Sequence, residues 1–108
     1  MSCREIHAEH TYTTTSPEAM DAVMTQLPEA CRRVVHEAAR TPGKWWPYDV
    51  IEKKVGLKPT QFASGLGGYR SHEPDRARPF HIGKQLASGR FCLMVDAQQA
   101  GLIRGADL

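Results

Sequence analysis

Proline constrains this chain more than any other residue. Pro17, Pro28, Pro42, Pro47, Pro59, Pro74 and Pro79 are spread along it. Because proline lacks a backbone N–H and its ring clashes with the preceding helical turn, each one opens a helix, closes one or marks a loop. Helices here must be short and must fit between these positions. "SPEAMDAVMTQL" starts one cleanly: Ser16 can cap it, Pro17 suits the first helical position, and Glu18 meets the positive end of the dipole. Its apolar stripe is Met20, Val23, Met24 and Leu27. After the restart at Pro28, "PEACRRVVHEAAR" sets Cys31, Val34, Val35 and Ala38 at helical spacing. "TPGKWWP" reads as a loop, with one of its two tryptophan rings closing the core and the other available to a partner. "PYDVIEKKV" is a third, short helix. Gly56 fits the left-handed residue that stops it, and Leu57 the hydrophobic contact just beyond. A fourth helix is expected from about Pro59 to Leu66 or Tyr69.

The flanks read differently. "REIHAEHTYTTT" alternates loosely, with Ile6, Ala8 and Tyr12 on one side, and predicts an N-terminal strand or arm. "EPDRARP" is a polar loop, and "PFHI" and "RFCLMV" are strands joined by the hairpin loop "GKQLASGR" between Gly83 and Gly89. Asp96 and Gln99 form a capping box that opens a last short helix, "AQQAGLIR".

A chain of 108 residues has room for one modest core. Its apolar fraction of 41% and charged fraction of 24% are ordinary for a globular protein, and no apolar run nears the roughly 20 residues that cross a bilayer. "MSCREIHAEH" lacks the apolar centre of a secretory signal, so a cytoplasmic protein is expected. Cys3, Cys31 and Cys92 are odd in number and form no CxxC pair, which predicts reduced thiols, Cys31 and Cys92 being small core residues. Cys3, His7 and His10 lack the second ligand pair of a zinc site, and no nucleophile elbow, phosphate loop or HExxH is present. No enzyme, cofactor or metal is expected.

Charge is unevenly placed. Lys and Arg against Asp and Glu count three and six over residues 1–39, ten and four over 40–95, and one and two over 96–108, which gives −3, +6 and −1 and sums to the net +2. A basic centre between acidic ends suggests a face for a polyanion.

In "IEKKVGLKPTQFASGL", Ile51, Val55, Gly56, Leu57, Phe62 and Leu66 fall at the buried positions and turn glycine of a helix-turn-helix, and a basic hairpin follows where a wing would lie. Over about residues 28–104 the chain resembles the winged helix-turn-helix superfamily. It is also similar to small actinobacterial winged-helix proteins that share the glycine-rich helix end and the "RPF" before the wing. The resemblance implies an α+β fold, a helical bundle with a two-stranded wing over 79–95 and a recognition helix over about 59–69. It implies sequence-specific binding of double-stranded DNA by a transcriptional regulator, associated with the nucleoid when bound. Residues 1–27 form an arm and helix expected to make a homodimer, and residues 28–108 the DNA-binding domain.

With Phe62 and Leu66 facing the core, Thr60, Gln61, Ser64 and Gly65 face the groove, where Gln61 can pair bidentately with adenine. Gly65, Gly67 and Gly68 cost a helix about 1 kcal/mol each relative to alanine, and would let backbone approach the duplex and turn Tyr69 and Arg70 toward it. Arg70, Arg76, Arg78, Lys84 and Arg90 in the loop and wing, with Lys44, Lys53, Lys54 and Lys58 around the helix pair, would neutralise phosphates, with Lys84 or Arg90 at the wing tip near the minor groove. His72 and His81 flank this loop as phosphate contacts or surface residues. The competing reading is a winged-helix module whose basic face meets an acidic protein.

Overall fold

A computed structural model describes residues 3–6, 11–13, 15–57 and 78–106. The predicted fourth helix at 59–69 lies outside the described residues. In chain order the elements are β1 (Cys3–Glu5), α1 (Pro17–Thr25), α2 (Glu29–Ala39), β2 (Trp46–Pro47), α3 (Tyr48–Val55), β3 (His81–Gln85), β4 (Phe91–Met94) and α4 (Ala97–Ala106). Four described helices and one four-stranded antiparallel sheet, ordered β1-β3-β4-β2, make an α+β fold. No described helix is long and apolar enough to cross a membrane.

Local chemistry sets the helix ends. Ser16 Oγ accepts the Ala19 N–H at 3.3 Å with Pro17 in the first turn, and backbone and Ser16 hydrogen bonds hold the Glu18 carboxyl below its ordinary pKa. Asp96 Oδ1 accepts the Gln99 N–H at 2.8 Å while Gln99 Oε1 accepts the Asp96 N–H at 3.1 Å, the reciprocal box expected at the start of α4. Gly56 sits at φ 73° and ψ 31°. Its N–H reaches the Lys53 carbonyl, and the Leu57 N–H reaches that of Glu52. These two bonds make a Schellman stop on α3.

The sheet presents Ile82 and Leu93, directly paired, to the helices. They join Phe80 and Val95, Met20, Met24 and Leu27 from the α1 segment, Cys31, Val34, Val35 and Ala38 from α2, Ile51 from α3, and Ala100 and Ile103 from α4 in one core. Full burial of each large aliphatic or aromatic side chain contributes about 1.5–3 kcal/mol. The apolar stripe of α1, from which a dimer surface was expected, is therefore taken up inside the chain, with Val23 half-buried.

Three expectations change. The hairpin is not a free two-stranded wing: β2 pairs with β4, and β1 pairs with β3, so both hairpin strands have neighbours. Its loop is also shorter than predicted, because β3 continues through Gln85, leaving 86–90 as the turn with Gly89 at φ 72°. Finally, Cys3 and Cys92 are joined in a disulfide with their Cα atoms 6.6 Å apart, and only Cys31 is a free thiol. Cys92 is buried as predicted, but an 89-residue separation hides such a pairing from spacing rules.

Gly83 lies on the same face of the sheet as the cross-link. In the strand pleat Cys3, Glu5, Gly83 and Cys92 share the face opposite Ile82, and the bridge spans from β1 to β4 over β3 where β3 carries no side chain. Trp45 covers the same spot. A Cβ on Gly83 would lie 2.7 and 2.9 Å from two Trp45 ring carbons and 3.0 Å from the Arg4 carbonyl oxygen. The tryptophan doublet thus divides: Trp46 enters the core at 5% exposure, and half-buried Trp45 packs on the sheet.

Candidate nucleic-acid interface

Of the residues expected to meet DNA, Lys58, Thr60, Gln61, Ser64, Gly65, Tyr69, Arg70 and Arg76 lie outside the described residues. Arg78, Lys84 and Arg90 are described, and they have different surroundings. Arg78 is fully buried, and its carbonyl accepts the Tyr12 N–H across an isolated bridge between Thr11 and Arg78. This corrects the expectation of a phosphate contact, because a side chain with no exposed area is withdrawn from any surface contact.

Lys84 is exposed, but on strand β3 opposite Phe91 rather than at a hairpin tip, with Nζ 5.7 Å from the Phe91 ring centroid. Arg90 follows the turn and pairs through Nη1 with Asp49 in the first turn of α3. Both members of that pair are well exposed, so it contributes at most about 1 kcal/mol. Its geometric effect is to tether the hairpin to α3.

A second group of cations surrounds the junction of α2 and α3. Arg33, His36, Glu37 and Arg40 recur at helical spacing on one face of α2, opposite the stripe buried in the core. With Lys54 and Val55 of α3 they line a concave space of about 390 Å³. Arg33 Nη2 donates to the Val55 carbonyl at 2.7 Å, which satisfies an acceptor that the Gly56 stop leaves open and joins the two helices. Lys44 and Lys54 converge on the buried Trp46 ring, at 4.0 and 5.8 Å from its centroid. The inner side of α3 differs: Glu52 is buried, and burial first, then the Asp49 charge, raise its pKa.

His81 also departs from expectation. Its Nδ1 lies 2.5 Å from a Glu5 carboxylate oxygen and its Nε2 2.8 Å from one of Asp96. With both ring nitrogens occupied, the imidazole is not a phosphate contact. It joins β1, β3 and the capping residue of α4. No group of three His, Cys, Asp or Glu among the described residues could hold a metal ion.

Reading the sequence for its apolar stripe passed over Arg33, His36 and Arg40. Their shared face on α2 was the available signal, but basic residues late in a helix ordinarily offset the dipole, and nothing local shows that Lys54 will face them. Comparison of the chain with protein-family models, curated proteins and solved structures finds no match.

Proposed function

We propose that the chain binds double-stranded DNA through a winged helix-turn-helix arrangement and regulates transcription. The observation that carries this reading is a connection. The two-residue strand β2, which leads directly into α3, is hydrogen-bonded to β4, the second strand of the hairpin. Helix α3, its left-handed stop at Gly56 and the hairpin are thereby held as one unit, as a helix pair with a flanking wing requires. The Arg90–Asp49 pair spans the same two elements. In this reading the helix over about 59–69 enters the major groove, Thr60, Gln61, Ser64 and Gly65 face base edges, and Lys58, Tyr69, Arg70, Arg76, Lys84 and Arg90 serve the backbone.

Fluorescence anisotropy with a random-sequence duplex at two salt concentrations tests it. Binding should weaken by at least about tenfold between about 50 mM and about 200 mM salt. Lys84→Ala should weaken binding to every sequence, whereas Gln61→Ala should relax preference for a selected site while sparing random DNA. Equal losses for Gln61→Ala on both would remove it as a base reader. A second reading, a module that meets an acidic protein, gains from the burial of Arg78 and the engagement of Arg90, which leave fewer cations on the hairpin. Lack of duplex binding even at low salt would make that reading the better one.

A further inference from the structure

Dipole compensation accounts for a cation at the C-terminal end of each helix, Arg40 beyond α2 and Lys54 in the last turn of α3, but not for Arg33 in the middle of α2, which faces the same cleft. Arg33 and Arg40 from one helix and Lys54 from the other converge on a single concavity, with His36 and Val55 on its wall and one carboxylate, Glu37, among them. Among the described residues, Arg33, Arg40 and Lys54 enter no ion pair. The Arg33 guanidinium is oriented by its bond to the Val55 carbonyl, and a guanidinium has five N–H donors in a planar fork suited to phosphate oxygens. The volume of about 390 Å³ falls within the range of roughly 300–1,000 Å³ usual for small-ligand sites.

We propose that this cleft is a phosphate-binding site, in which Arg33 presents an oriented fork and Arg40 and Lys54 close on the anion from the two helix ends. Glu37 disfavours carriers that add negative charge on its side. Two sources can supply the phosphate, the backbone of a duplex or a free phosphorylated small molecule, and the cleft recognises the group common to both. Its position at the junction means that an occupied cleft adds a second link between α2 and α3, beside the Arg33 bond.

The test is a titration of the full chain with inorganic pyrophosphate, followed by the amide signals of residues 33–40 and 53–57. Saturable shifts confined to these segments are expected, with a Kd at or below about 1 mM. The Arg40→Gln, Lys54→Gln double variant alters two exposed side chains and should weaken binding by at least about tenfold, while Lys53→Gln, an exposed lysine on the same helix, should leave it unchanged. No saturable shift, or an equal loss in Lys53→Gln, overturns the proposal.

Adding duplex DNA then separates the sources. Competitive displacement of pyrophosphate assigns the cleft to backbone phosphate, and simultaneous binding assigns it to a free phosphorylated ligand. Duplex binding by a chain that ignores pyrophosphate would sink the phosphate site and leave the DNA reading standing. The reverse result would do the opposite.

Discussion

At the N-terminal edge, a disulfide, an imidazole held by two carboxylates and a β-ladder converge on β1, a strand of only three residues. On the α2–α3 side, a side-chain bond from Arg33 to a carbonyl links the outer surfaces of two helices, and Arg40, Lys53 and Lys54 are exposed. The difference follows from what each region buries. Helices α2 and α3 contribute Val34, Val35 and Ile51 to the core, so their outer faces are free to carry charge. A three-residue strand forms too few ladder bonds to offset the backbone entropy of ordering it. Cross-links hold it instead.

The largest test of this contrast is the disulfide. Cys3→Ser, or reduction of the native protein, should lower stability by about 2–4 kcal/mol, read by thermal melting with and without reductant. A loss no larger than that of an ordinary surface substitution would mean that the edge needs no covalent support.

Next is Gly83→Ala, expected to cost about 1–3 kcal/mol because the new methyl meets the Trp45 ring and the Arg4 carbonyl. Combining it with Trp45→Ala should recover part of that loss. Strict additivity of the two would show that Trp45 does not press on Gly83.

On the opposite side Arg33→Gln should cost only about 0.5–1.5 kcal/mol, the worth of one hydrogen bond. A larger loss would mean that the cleft is as tightly built as the edge.

The smallest effect is expected at Glu52. Its pKa is raised in the fold, so over the interval between the ordinary carboxylate value and the raised one the unfolded chain is the first to lose its proton, and stability falls as pH rises. Glu52→Gln should therefore be slightly more stable than the native chain at neutral pH, by less than about 1 kcal/mol, with the two converging in acid. Melts at several pH values check the sign.

Much of the local architecture was legible. Ser16, the Asp96 and Gln99 pair and Gly56 each act on atoms within a few residues of themselves, so their roles follow from spacing alone. The candidate site was less so. Lys84 and Arg90 belong to the hairpin as expected, but whether a cation is buried like Arg78, paired like Arg90 or facing a cleft like Arg40 depends on groups distant in sequence. Asp49 lies 41 residues from Arg90, and no propensity or periodicity records that distance.

By itself the sequence determined where the described helices begin, how α3 stops, which face of α2 is apolar, and that two strands flank a turn containing Gly89, because steric limits, capping bonds and side-chain period act over a few residues. Only the tertiary structure decided that β1 and β2 extend the hairpin into a four-stranded sheet, that α1 packs into the common core, that Cys3 meets Cys92 over Gly83, and that the cations of α2 and α3 share one cleft. Each of these is a meeting of segments far apart in the chain, selected by the joint burial of apolar surface that no single segment can bury alone.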